Sequence, residues 1–267
     1  MIEVTNIKVV GIEDALRGMR NPKDSWNLSD SKYFRTLEEL SSKNVPIFGI
    51  EGSKNVVLDI ADANESIEID FENSVYVSRC GSKDVCNIDE YYEMLIKTDD
   101  FALIGPADLK LCKQLIHGGP VHSKFARMIC VYMDISASFD FWKEYDTYKV
   151  ATVANSCSTM HTVHKHELDI SNFSLADLTN KDIEYIKEKV IPYLNSIIGD
   201  NDIPDIEVTR RISKLNILGF QQKRTVLFNY ETLHNMITWR SNHKLFEWRY
   251  LTNVVLKKLP YVKSFYL

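Results

Sequence analysis

The 267 residues suffice for one large domain or two small ones with a sizeable core, without disulfide support. Apolar residues at 45% and charged residues at 26% are ordinary for a globular protein, and no apolar run approaches the roughly 20 residues of a membrane span. A net charge of −5 argues against a surface built to wrap duplex nucleic acid, while a small anionic ligand needs only a few local Arg or Lys residues.

The first 22 residues have no basic region followed by an apolar core and a small-residue cleavage site, so no secretory signal is expected and the cytoplasm is the expected compartment. Ile2, Val4, Ile7 and Val9 alternate, which predicts a strand over 2–11, and "EDALRGM" predicts a short helix before the polar break at 20–32. The stretch "NSVYVSR", 73–79, reads as a strand. "NIDEYYEMLIK", 87–97, has an Asn cap and early acids and predicts a helix, as does "GPADLKLCKQLIHGG", which ends on Gly118 and Gly119. "FARMICVYMDIS", 125–136, has the content of a central strand, and "FDFWKEYDTY", 139–148, returns to helical spacing. A long helix capped by Ser174 is expected to run to Gly199, with helices dominating from there to the C-terminus. The class is therefore mixed α/β. No repeat or Pro/Gly/Ser-rich linker divides the chain.

Two segments concentrate polar chemistry. "TYKVATVANSCSTMH", 147–161, is either a polar loop tying down a core element or a cradle for a ligand. In 229–260, at about 100° per residue, Asn229, Leu233, Met236, Arg240, His243, Glu247, Leu251 and Val254 fall on one helical stripe. Its polar members need partners. They form either an internal network of Arg240 with Glu247 and His243, or the flank of a pocket in which Arg240 presents its planar fork to a carbonyl or phosphate. Cys157, His161, His164 and His166 have residue types that suit zinc but not a zinc spacing, and no metal site is expected. The five cysteines fit reduced thiols. Neither a phosphate-cradling G-x-x-x-x-G-K-[ST], a G-x-G-x-x-G nor a G-x-S-x-G elbow occurs.

The series Asn229, Asn235, Arg240, His243, Glu247 and "LPYVKSF" resembles the C-terminal helix pair of the flavin-dependent thymidylate synthases. Asn155 and Ser158 of "NSCS" match the Asn and second Ser of that family's signature, whereas Ser156, Met160 and "YKV" or "TYK" replace its Glu, last Arg and Arg-His-Arg. His122 and Phe125 resemble the family's approach to its central strand. The likeness spans roughly 105–267, leaving 1–104 as an N-terminal extension or subdomain of unassigned role.

The resemblance implies a central sheet flanked by helices, with a helical C-terminus. It implies an enzyme that uses FAD to move a one-carbon unit from methylenetetrahydrofolate to C5 of dUMP, with NADPH as reductant and a homotetramer as the assembly. His122, Asn229, Asn235 and His243 would touch the flavin. Asn155, Ser158, Arg211 and Arg240 would hold the substrate, with Arg240 polarising the pyrimidine as the catalytic group and Arg211 taking the phosphate. His243 falls one residue earlier than the family's spacing. Arg210, Lys223 and Arg224 stand where substitutes for the missing arginines would come from, and Cys157 has no catalytic part. A related pyrimidine-nucleotide flavoenzyme, or a non-catalytic nucleotide-binding or assembly protein on the same fold, is the alternative.

Overall fold

In the computed structural model, residues 2–43, 48–49, 55–60, 65–81, 91–99 and 101–267 are described. The strands are β1 (Glu3–Val10), β2 (Lys32–Phe34), β3 (Phe48–Gly49), β4 (Asn55–Ile60), β5 (Glu65–Asp70), β6 (Val75–Gly81), β7 (Tyr91–Lys97), β8 (Phe101–Leu103), β9 (Cys130–Ser138), β10 (Val153–Ser156) and β11 (Gln221–Asn229). The helices are α1 (Ile12–Arg20), α2 (Leu37–Ser42), α3 (Pro106–His117), α4 (Phe139–Tyr145), α5 (Thr159–Thr162), α6 (Asn180–Tyr185), α7 (Ile191–Ile198), α8 (Asp205–Leu215), α9 (Tyr230–Arg240), α10 (Phe246–Tyr250) and α11 (Val262–Tyr266).

Nine of the described strands form one sheet in the order β10-β11-β9-β1-β7-β6-β5-β4-β3, and β2 pairs with β8 apart from it. Only the β1–β7 pair is parallel among the described neighbours. On β9 the buried residues Val131, Met133, Ile135 and Ala137 alternate with Tyr132, Asp134 and Ser136, giving the sheet one core face and one open face. The core face packs under α1, α3, α4, α9 and the C-terminal helices. A second cluster, with Phe173, Leu194, Val208 and Ile212 at its centre, holds the helical lobe formed by α5 to α8. Phe220 of this cluster stacks on Phe139 at the start of α4 at 5.7 Å.

The mixed α/β class, the first strand and helix, and the helices over 105–119 and 139–148 are as expected, while four elements differ. Over 87–97 the described part is β7, not a helix; Met94 and Ile96 are buried while Glu93, Leu95 and Lys97 are exposed. That period of two, between β1 and β6, overrides the capping signal at Asn87, which lies outside the described residues. The strand expected from 125 starts at Cys130, because Ser123–Arg127 forms a 3-10 turn that buries Phe125 and Ala126. The helix expected from Ser174 starts at Asn180, where Thr179 and Asp182 form a reciprocal capping box. Ser174 instead donates its backbone N–H to Gly219 O. A π turn, Ile186–Val190, separates α6 from α7 just ahead of Pro192, which lacks the N–H that a continuous α-helix would use. Finally, β11 interrupts the run of helices expected after 200. Its polar start, Gln221 to Arg224, hides a strand whose buried Val226 and Phe228 pair with Met133 and Val131.

Candidate functional site

Ser138 ends β9 and caps α4, its hydroxyl accepting from Phe141 N. Asn229 ends β11 and caps α9 by accepting from Thr232 N at 2.9 Å. Because β9 and β11 run antiparallel, with Ser138 opposite Gln221 and Asn229 opposite Cys130, these two strand-to-helix exits lie at opposite ends of the pair.

Arg240, the last residue of α9, reaches the end of α4 and the residues just after it. Its Nη1 lies 2.9 Å from Glu144 Oε2, and its Nε donates to Tyr148 Oη at 3.2 Å. The guanidinium also lies over two rings, 5.3 Å from the Trp248 centroid and 5.7 Å from that of Tyr148. Thr232 Oγ1 adds a contact to Val150 O at 3.4 Å.

After Arg240 the chain turns, and His243 accepts from Leu245 N through Nδ1 at 3.2 Å. Its ring meets Trp248 edge-on at 6.3 Å. Burial, and then the Arg240 charge, hold its pKa below the ordinary histidine value. Arg249 pins this turn by donating to the carbonyls of His243 and Lys244, and Asp177 of the helical lobe accepts from Phe246 N at 2.7 Å.

The turn breaks the continuous stripe expected over 229–254. Glu247 is buried and accepts from Ser138 N at 2.9 Å and Ser138 Oγ at 2.5 Å. The network of Arg240 with Glu247 and His243 therefore does not form. Arg240 takes Glu144 instead, a carboxylate in "FDFWKEYD" that no spacing singled out. Arg224 grips the other end of the same segment, with Asp146 at 2.8 Å and the Trp142 ring 4.3 Å below its guanidinium. Two buried polar atoms, Trp248 Nε1 and Tyr145 Oη, have no partner among the described residues.

The other expected residues fall in three places. Asn155 lies exposed on the edge strand β10 opposite Thr225, which donates to Asp134. Hydrogen bonds from Thr225 and Asn6 hold the Asp134 carboxyl below the usual range. Ser158 precedes α5, and half-buried Arg211 lies on α8, which packs on α5. Asn235 is exposed on α9. His122 is exposed on a turn tied to the start of α9 by Arg127, which donates to Pro120 O and pairs with Glu231 at 2.6 Å. Arg240, His243 and Tyr148 are thus one cluster, while Ser158 and Arg211 belong to the α5–α8 contact.

Cys157, His161, His164 and His166 do not converge, and His164 bonds Thr209 at 3.0 Å. No group of three or more His, Cys, Asp or Glu placed to hold a metal occurs among the described residues. No described helix is long and apolar enough to cross a membrane. Two cavities, about 590 Å³ beside α3 and about 260 Å³ between β1, β7 and the C-terminal helices, are lined by none of the expected residues.

No protein-family model and no curated protein matches the chain. Among solved structures, thymidylate synthase X (ThyX) from Helicobacter pylori, with FAD and dUMP, is similar over 61% of this chain and 82% of that one, with a TM-score of 0.50 and 16% identity. The fold is ThyX-like. A second structure of the H. pylori flavin-dependent thymidylate synthase ThyX, complexed with FAD and dUMP, covers 60% of this chain and 83% of its own, at 18% identity and a TM-score of 0.45. Like the first ThyX structure, this chain builds a large central sheet with helices packed on it.

Proposed function

We propose that the chain is a flavin-dependent, thymidylate-synthase-like enzyme that transfers a one-carbon unit from methylenetetrahydrofolate to C5 of dUMP, with NADPH as reductant. The observation that carries this reading is the contact of Arg240 with Tyr148. It joins the two segments that hold the resemblance, 147–161 and 229–260, in one partly exposed cluster. The ThyX-like fold supports it.

The residues present suit a planar, hydrogen-bonding cofactor. Asn235 is exposed, and among the described residues Asn229 has only its Oδ1 committed to the helix cap and His243 only its Nδ1 to the backbone. These three, with His122, would hold FAD, which when bound supplies the redox chemistry of the one-carbon transfer. Arg240 donates to a ring carbonyl of dUMP and stabilises negative charge that develops there. Tyr148 and Trp248 hold the guanidinium in place. His243, neutral at pH 7, offers a hydrogen bond without adding charge. Ser158 and Arg211 would take the nucleotide phosphate and Asn155 another part of the substrate, and Arg211 has no ion-pair partner among the described residues. On this reading the protein acts in the cytoplasm as a homotetramer, with residues 105–267 carrying the catalytic groups and 1–104, an N-terminal extension or subdomain of unassigned role, sharing their sheet through β1.

The test is to incubate the purified protein with FAD, remove free cofactor by gel filtration and record the visible spectrum. Wild type is expected to retain flavin and to convert dUMP, and Arg240→Ala to retain flavin without converting dUMP. A protein that cannot be loaded would overturn the redox reading. The loss of signature arginines at "YKV" or "TYK" and at Met160 favours a second reading in that event, a non-catalytic nucleotide-binding protein on the same fold.

A further inference from the structure

Glu144 is the one member of the Arg240 cluster without a role in that scheme. Its carboxylate is 41% exposed, and the Arg240 side chain is 19% exposed. The contact joins Nη1 to Oε2. Among the described residues, Nη2 of Arg240 and Oε1 of Glu144 hydrogen-bond to nothing, while Nε is spent on Tyr148. A cationic donor and an anionic acceptor thus stand side by side with unused valence, on a support of aromatic faces. Glu144 also belongs to the field felt by His243, which places it in the cluster and not merely at its rim.

A phosphate is a poor match for this pair, because the carboxylate repels it. The complement of an adjacent donor and acceptor is an adjacent acceptor and donor, a ring C=O next to a ring N–H. We infer that Arg240 and Glu144 together read the imide edge of a neutral pyrimidine, Arg240 donating to the carbonyl and Glu144 accepting from the ring N3–H, so that Glu144 selects uracil over cytosine. This inference rests on the pyrimidine-nucleotide reading above and adds the residue that chooses the base. Cytosine offers a bare N3 lone pair at that place, which faces the carboxylate unpaired, and sites built to hydrogen-bond a ligand group reject analogues that lack it.

The experiment measures binding of dUMP and dCMP to the full chain by calorimetry, for wild type, Glu144→Ala and Glu144→Gln. The two nucleotides carry the same sugar and phosphate, so a general change in charge cancels in their affinity ratio. Wild type is expected to prefer dUMP by at least about tenfold. Glu144→Ala narrows the ratio, because the acceptor is gone. Glu144→Gln narrows it by raising dCMP affinity above that of Glu144→Ala, because the amide N–H can donate to cytosine N3 while its carbonyl still accepts from uracil N3–H, a change that a purely structural role for Glu144 would not produce. A protein that binds dUMP with a ratio unchanged in both variants overturns this inference and leaves the nucleotide reading standing. A wild type that binds neither nucleotide overturns both.

Discussion

Arg20 and Asp108 meet at 2.6 Å with 6% and 0% of their side chains exposed, whereas Arg240 and Glu144 meet at 2.9 Å with 19% and 41% exposed. In the first pair the carboxylate is saturated. Asp108 accepts from Arg20 Nε, Ser29 Oγ, Ser31 N and Ser31 Oγ. Asp30 beside it accepts from Ala107 N and Asp108 N, serving as a distant cap for α3. Gly105 is required where this loop crosses, since a Cβ there would lie 2.3 Å from Asp30 Cγ. In the second pair only part of the hydrogen-bonding capacity is used. The same ion-pair chemistry therefore locks a loop to a helix in one place and leaves a recognition surface in the other; what separates them is how many donors and acceptors burial has forced to find partners.

The largest test of that contrast is Asp108→Ala. It leaves a buried guanidinium uncompensated and is expected to cost about 3–5 kcal/mol in urea unfolding. The pH dependence has a definite sign. Burial alone would raise the Asp108 pKa, but hydrogen bonds from Ser29, Ser31 and Arg20 hold it below the ordinary value. Its contribution is complete above the unfolded value of about 3.9 and is lost as the pH falls through the lower folded value. Wild type and Asp108→Asn should accordingly converge in stability as the pH drops below about 4. A gap that stays constant would mean the carboxylate charge is not what the network binds.

Glu247 is the intermediate case, buried at 4% exposure but partnered by a serine and not by a cation. Glu247→Ala leaves Ser138 N and Oγ unmatched at the start of α4 and is expected to cost about 1.5–3 kcal/mol. Arg240→Ala should cost only about 1 kcal/mol or less, as partly exposed pairs do, while weakening dUMP binding at least about tenfold. Thermal unfolding and calorimetry on the same samples measure both. An Arg240→Ala protein as unstable as Asp108→Ala would remove the distinction between the two pairs.

How much of this was legible in the sequence follows the same division. β1, α1 and α3 were readable because their buried residues recur at one clean period, as Ile7 and Val9 do in β1. β7 and β11 were not. The first hides behind a capping pattern at its N-terminal side, and the second begins with four polar residues on a strand whose identity comes from pairing with β9. At the candidate site, Arg240 and His243 were singled out by spacing and do share the Trp248 face. Glu144 and Tyr148 were not, because only the fold brings the end of α9 onto residues about a hundred positions earlier in the chain. Glu247 was singled out for the wrong partner, since the turn after Arg240 rotates it away toward Ser138.

The smallest expected effect resolves the second pair most finely. Burial holds the His243 pKa down first, the Arg240 charge second, and Glu144 pulls in the opposite direction. Arg240→Ala removes only the second cause, so the His243 pKa should rise toward the ordinary value of about 6.5 without reaching it. Glu144→Ala should lower it further. Proton NMR titration of the imidazole C2–H reads both shifts. Because the folded value lies below the unfolded one, His243 leaves folding unpenalised above about pH 6.5 and penalises it progressively as the pH falls from there through its folded pKa. That penalty should shrink in Arg240→Ala and grow in Glu144→Ala. Opposite signs from the two variants require both charges to act on one imidazole, as neighbours in a single partly exposed cluster. Equal or absent shifts would mean that His243 stands apart from the pair, and the cluster would reduce to an isolated surface contact.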